Sequence, residues 1–333
     1  MTRTSIAFLA FTLNHTGGTL NVIEYAKGLK RFYDIDSHFI INDPSTSNHD
    51  PNAYTLIAEQ FPISHFQDYD LIKVLNELYS QGKIYAFYHV TQGNNKIDKM
   101  LLDSGLPMLV HMTGVGRDPW GLVYAYVSEW MSEFCSKGEF PYVPHIVQLP
   151  ASDGNLRDIL NIPAESVVIG RLGGEYSWNI HFVNNVINES VDLRSDIYFL
   201  LVNVPFFPQY FTHPRIKVFS KFPYDQELKK KFINTCDAMI HARAEGESFG
   251  FAPAEFSLSN RPIITYLHST ERAHISVLGK RGIYYESPDT LRSILLCIGK
   301  GQQVNWNCYE NFDSENITRQ FYDVFLGEKY RSQ

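Results

Sequence analysis

Two glutamates, Glu247 and Glu255, stand with seven residues between them in the segment CDAMIHARAEGESFGFAPAEFSLSNRPIITY, residues 236–266. The segment reads as strand, polar loop, short helix and strand. Proline is tolerated in a helix only near its start, where its missing N–H costs nothing. Pro253 therefore makes the loop 244–250 lead directly into a helix N-terminus, with the backbone donors of Ser248, Phe249 and Gly250 at the C-terminal edge of a sheet. Such a helix start favours phosphate, because unpaired N–H groups and the helix dipole both attract negative charge. In open α/β sheets that edge is also where ligands bind. Glu247 lies just before the helix and Glu255 about one turn inside it, so both carboxylates can face one cleft and accept hydrogen bonds from vicinal sugar hydroxyls. The purely structural alternative is that both complement the helix dipole, an effect of about 0.3–1 kcal/mol each.

The elements that must position these groups come from the apolar patterning. Short apolar runs alternate with helix-period segments, the pattern of parallel sheets covered by helices on both faces. In the first half the strand candidates are 6–13, 38–41, 84–88, 108–111 and 123–127. The clearest helices are 20–32 and 71–79. A proline-punctuated stretch containing Pro141, Pro144 and Pro150, followed by Ser152, Asp153 and Gly154, reads as an interdomain linker. The pattern then restarts, with strands expected at 167–170, 197–202, 216–219, 238–241, 262–265 and 283–285, and a last helix at 315–326. A chain of 333 residues is long enough for two α/β domains of about 150 residues each.

Composition narrows the class. Hydrophobic residues make up 44% and charged residues 20%, the balance of a globular protein. A net charge of −7, with Lys229, Lys230 and Lys231 as the longest basic run, argues against a nucleic-acid surface. Cys135, Cys236, Cys297 and Cys308 show no C-x-x-C pairing, so neither a zinc site nor a disulfide framework is expected, and a cytoplasmic location fits. The apolar run from Ile6 to Phe11 reads as a first buried strand. No stretch reaches the roughly 18 apolar residues of a membrane span, although peripheral membrane contact stays open.

The spacing ESFGFAPAE, from Glu247 to Glu255, resembles the E-x7-E motif of retaining glycosyltransferases of the two-domain GT-B class, family 4 type. The preceding residues 217–237 and the turn Asn260, Arg261, Pro262 are similar to the segments flanking that motif. The resemblance implies a GT-B fold: two Rossmann-like domains facing each other across a cleft. They would be an acceptor-side domain 1–148, a donor-side domain 149–310, and a C-terminal helix in 311–333 returning to the first. It further implies Glu255 on the ribose hydroxyls, Glu247 on the transferred sugar, Phe222 near the nucleobase, and the amides of Phe249 and Gly250 on the diphosphate, beside the Ser248 donor at the same helix start.

VVIGRLGGEYSW, residues 167–178, is similar to the family's strand ending in Gly-Arg, and implies that Arg171 neutralises the leaving diphosphate, where charge develops in the transition state. NHTGGT, residues 14–19, resembles the family's Gly-Gly loop, which implies that the backbone at Gly17 and Gly18 approaches the donor. His111, ending the strand PMLVH, resembles the histidine placed beside the reacting sugar, and His89 is a second candidate at a strand end. The chain departs from the family where a lysine is common five or six positions after the arginine. It has Tyr176 and Ser177 there, leaving Arg243 or Lys221 as the replacement cation.

The implied reaction is hexosyl transfer from a UDP- or GDP-sugar to a glycan or other hydroxyl acceptor, with retention and with neither metal nor cofactor. Glu247→Ala and Arg171→Ala are both expected to abolish it in a folded protein. Three competing chemistries have their own signatures. A metal-dependent single-domain transferase would use a D-x-D motif, whose spacing occurs at Asp34, Ile35, Asp36 and at Asp68, Tyr69, Asp70. A glycoside hydrolase would use the two glutamates as acid and nucleophile. An inactive nucleotide-sugar-binding protein would bind donor without transfer.

Overall fold

The computed structural model describes residues 5–13, 17–67, 69–93, 95–204, 211–220, 225–301 and 304–327. The chain divides into two compact units, Met1–Ile146 with Asn311–Gln333, and Val147–Glu310.

In the first unit the chain runs β1 (Ser5–Ala10), α1 (Gly17–Tyr33), β2 (Asp36–Asn42), α2 (Pro51–Ala58), β3 (Ile63–Phe66) and α3 (Leu71–Ser80). It continues through β4 (Ile84–Thr91), α4 (Lys96–Asp103), β5 (Met108–Met112), β6 (Val123–Tyr126) and α5 (Glu129–Ser136). The six strands form one sheet in the order β3-β2-β1-β4-β5-β6, and every neighbouring pair is parallel. Strands buried on both faces need near-continuous apolar sequence, which IAFLA in β1 and MLVHM in β5 supply.

The second unit contains β7 (Val167–Arg171), α6 (Phe182–Leu193), β8 (Ile197–Val202), β9 (Ile216–Phe219), α7 (Gln226–Thr235) and β10 (Ala238–His241). After these come β11 (Gly246–Glu247), α8 (Phe251–Leu258), β12 (Ile263–Tyr266), β13 (Glu271–Arg272), α9 (Ala273–Leu278), β14 (Ile283–Tyr285) and α10 (Pro288–Cys297). Its main sheet has the order β14-β12-β10-β7-β8-β9, while β11 and β13 form a separate two-stranded ladder. Renumbered by appearance in its own unit, this order is the first unit's in mirror listing. Both are the doubly wound arrangement in which chain direction across the sheet reverses between the first and fourth strands.

After the second unit, α11 (Ser314–Phe321) packs on α1, and a π-helical turn at Tyr322–Leu326 follows it. Ile317, Phe321 and Phe325 join Phe8, Tyr25 and Tyr88 in the first unit's core. Among the described residues no helix is long and apolar enough to cross a membrane.

Candidate active site

The reversal point of the second sheet lies between β7 and β10, whose last residues are Arg171 and His241. The chain leaving β10 carries Arg243, Glu245 and Glu247 into α8. Two devices fix this loop. Asn179 accepts from the Ala244 amide at 2.8 Å and donates to the Glu245 carboxylate at 2.8 and 3.0 Å. The β11–β13 ladder pairs Glu247 with Arg272, so the backbone bearing the first glutamate is held as sheet.

Gly250 caps α8 with φ 92°, in the left-handed region where only glycine sits without strain. A Cβ there would stand 3.2 Å from the Glu247 side chain and 3.3 Å from His274, so the turn is tight around the first glutamate. Pro253 occupies the third position of α8, as its missing N–H requires. Phe249 and Gly250 are buried, whereas Ser248, Phe251 and Ala252 keep part of their surface. The helix start is therefore open to solvent on the Ser248 side.

Glu247 is the most elaborately held side chain of the site. Its carboxylate accepts from His241 Nε2 at 3.1 Å and from the Arg243 guanidinium at 3.3 Å. Behind His241, Nδ1 meets Thr265 Oγ1 at 3.0 Å, and the same hydroxyl meets His274 Nε2 at 3.0 Å. One proton arrangement satisfies every contact. His274 Nε2–H donates to Thr265, the Thr265 hydroxyl donates to His241 Nδ1, and His241 Nε2–H donates to Glu247. Burial, with the charges of Arg272 and Arg243, holds His274 far below the usual histidine range and hence neutral. Burial pushes the Glu247 pKa up, but the hydrogen bond from His241 and the charge and hydrogen bond of Arg243 outweigh it, leaving the carboxyl below its ordinary value. Glu247 is thus a fixed anion, suited to accepting hydrogen bonds.

Glu255, inside α8, is buried and accepts from Lys229 of α7. Burial raises its pKa by more than the Lys229 ammonium lowers it. Sequence reasoning missed Lys229, His241, Thr265 and His274. His241 carried a legible signal, a polar residue closing the apolar strand DAMIH. The other three are brought in only by tertiary packing.

Two of the expected site residues are buried and hydrogen-bonded within the fold. Arg171, expected to face a diphosphate, is 1% exposed. Its guanidinium donates to the carbonyls of Val202, Asn203, Gly173 and Gly174 and to Ser177 Oγ, and lies 5.7 Å over the Trp178 ring. It ties the loop after β7 to the end of β8, and its charge reaches Glu247 without contact. Burial lowers its pKa to about 10, against the Glu247 charge. Ser177, one of the two residues in the place of the missing lysine, belongs to this clamp, while Tyr176 is exposed.

His111, expected to point into a cleft, is fully buried. It shares a strand face with Leu109, two residues earlier, which lies in the core with Tyr25 and Phe321. Nδ1 accepts from the Tyr88 hydroxyl at 2.5 Å and Nε2–H donates to the Val143 carbonyl at 2.9 Å, so neither ring nitrogen is left for a substrate. Burial lowers its pKa to about 4.

The remaining candidates fall as follows. Gly17 and Gly18 open α1. His89 is buried and bonded to Asp98 at 2.8 Å. Arg243 is half-buried and paired with both Glu247 and Glu245. Phe222 and Lys221 lie outside the described residues, as do residues 14–16 and Asp68. Asp34 and Asp36 both pair with Lys30, at 2.6 and 2.9 Å. Among the described residues no group of three or more His, Cys, Asp or Glu side chains could hold a metal ion.

No family model matches the chain, and comparison with curated proteins finds no match. Solved structures do match along its full length. Anabaena Alr3699/HepE, in complex with UDP and glucose, superposes with a TM-score of 0.71 at 15% identity, covering 97% of this chain and 99% of that one. A glycosyltransferase from Rickettsia africae ESF-5 gives 0.71 at 15% identity, covering 99% and 100%. A protein assigned as a UDP-N-acetylglucosamine 2-epimerase from Listeria monocytogenes gives 0.64 at 10% identity, covering 99% and 98%. At these identities the likeness concerns architecture, and that architecture serves more than one chemistry. The chain has the GT-B fold, two doubly wound parallel sheets of the kind found in GT-B glycosyltransferases.

Proposed function

We propose that the protein is a nucleotide-sugar-dependent glycosyltransferase, transferring a hexosyl group to a hydroxyl acceptor with retention and without a metal. The observation that carries this reading is the glutamate held as an anion beside the start of α8, at the reversal point of the second sheet. In it, the amides of Ser248, Phe249 and Gly250 take the diphosphate, Glu255 the ribose hydroxyls and Glu247 the transferred sugar. Arg243 supplies the cation that the family keeps at the missing lysine. Arg171 shapes the loop beside them.

In the proposed step the bond from the sugar's anomeric carbon to the phosphate oxygen breaks, and the acceptor oxygen bonds to the same carbon on the same face. The departing phosphate takes the acceptor proton. The developing oxocarbenium character is stabilised by the fixed Glu247 anion. HepE is solved with UDP and with UDP-glucose, which supports a uridine donor here. A cytoplasmic site of action accords with the lack of C-x-x-C spacing among the four cysteines and is part of the proposal.

One observation favours a hydrolase instead: the pKa values of Glu247 and Glu255 are shifted in opposite directions, as in an acid and nucleophile pair. Against it, the Glu255 carboxylate is bound by Lys229 rather than left as a proton donor.

The test is turnover of UDP- and GDP-hexoses by the wild type and Glu247→Gln. We expect the variant to lose at least about a hundredfold in kcat while still binding the nucleotide. Near-normal turnover would refute the role of Glu247. Nucleotide-independent release of an aryl glycoside's chromophore would favour the hydrolase, and activity lost in chelator and restored by manganese would overturn metal independence.

A further inference from the structure

Within the first unit, a cavity of about 380 Å³ opens at the C-terminal ends of β4 and β5, the sheet edge at which ligands bind in this architecture. Its volume lies within the roughly 300–1,000 Å³ of small-ligand sites. Asn95, Asp98, Lys99, Arg117, Asp118 and Trp120 line it.

The walls are built rather than incidental. Asp98 is buried, and its carboxylate accepts from His89 Nε2 at 2.8 Å and from Thr91 Oγ1 at 2.7 Å. The Thr91 hydroxyl in turn accepts from the Gly93 amide at 2.9 Å, which fixes the loop leading to α4. On the other wall the Tyr126 hydroxyl donates to the Gly116 carbonyl at 2.9 Å. The half-buried Trp120 ring lies 6.0 Å from the buried His89 imidazole.

The chemistry of the lining selects its occupant. Two cations, Lys99 and Arg117, are set against two carboxylates, Asp98 and Asp118, so the cavity has no net preference for charge. Lys99, Arg117 and Asp118 are exposed, and among the described residues none of the three is in an ion pair. They offer donors and acceptors around a flat aromatic face, the arrangement that suits a ring with hydroxyls at its edge and C–H groups on its face.

We propose that this cavity is a saccharide site that takes a neutral pyranose at the end of the acceptor, stacked on Trp120 with its hydroxyls between Asp118 and the two cations. The identification of this sugar as acceptor rests on the transferase reading above; the saccharide binding does not.

The test labels the protein with 5-fluorotryptophan. Its four tryptophans give separate ¹⁹F signals, and Trp120→Phe assigns the relevant one. The probes are the methyl glycosides of glucose, galactose and mannose, with glucuronate and glucose 6-phosphate as the anionic arm. At least one neutral glycoside is expected to shift the Trp120 signal saturably, and to bind about tenfold more tightly than either anion. Asp118→Ala, at an exposed position, is expected to weaken that response with the fold intact. A Trp120 signal unmoved by every neutral glycoside, or moved more strongly by the anions, overturns the proposal. UDP binding, followed calorimetrically on the same sample, separates the two ideas. UDP bound with Trp120 unresponsive sinks this site and leaves the transferase. Glycosides bound with UDP ignored sink the transferase and keep the saccharide site.

Discussion

The glutamate that opens α8 is only as useful as the proton arrangement behind it. His241 delivers one N–H to Glu247 because the Thr265 hydroxyl, itself held by His274, occupies its other nitrogen, which fixes the tautomer. His241→Phe removes that hydrogen bond while the burial that raises the Glu247 pKa remains. The acid limb of the pH–rate profile is therefore expected to move to higher pH in the variant, and an unchanged limb would show that His241 does not set this charge. Arg171 makes the opposite kind of prediction. Its guanidinium satisfies a set of buried carbonyls, and leaving such groups unpaired costs about 1–3 kcal/mol each. Arg171→Ala is thus expected to lose several kcal/mol of stability in denaturant unfolding. A folded, fully stable and merely inactive variant would restore the direct phosphate role. At this scale the sequence was informative where covalent geometry speaks: Pro253 forces a helix start. It was uninformative about where a long side chain spends its donors, as with Arg171, or which way a strand residue faces, as with His111.

Between elements, α1 and α11 pack closely in the first unit. Gly28 lies where the helices meet, and a Cβ on it would stand 2.0 Å from Thr318 Oγ1. A methyl group there must push the helices apart, and overpacking of this kind costs about 1–3 kcal/mol. Gly28→Ala is expected to destabilise the protein by that amount. Thr318→Ala is expected to recover part of the loss, since the Thr318 hydroxyl is buried with no hydrogen-bond partner among the described residues and gives up little when removed. Strictly additive effects of the two changes would contradict this contact. The apolar spacing showed a helix at 315–326, but nothing in it named Gly28 as the opposing surface, because a glycine in a helix-period segment reads only as a weak position. The strands were easier. Continuous apolar runs bounded by loops marked them, and parallel pairing followed from the helices between them, whereas the two-residue β11 and β13 are too short to leave a pattern.

For the molecule as a whole, buried histidines set the response to acid. His111 has its pKa lowered from 6.5 to about 4 by burial, and His145 and His274 are driven well below 6.5, chiefly by burial. The folded state refuses protons that the unfolded chain accepts, so their contribution is complete above pH 6.5 and is lost as pH falls towards 4. For His111 alone the loss is on the order of 3 kcal/mol. The melting temperature is therefore expected to drop steeply from pH 6.5 to 4, and a flat profile over that range would refute the neutral, buried assignment. The central claim, that the start of α8 and its two glutamates hold a nucleotide sugar, is tested most directly by calorimetric titration of UDP-, GDP- and dTDP-hexoses into the wild type and Glu255→Gln. Saturable binding of at least one donor, weakened about tenfold or more in the variant, is the result predicted here. Absence of binding by every donor, or binding indifferent to Glu255, would contradict it.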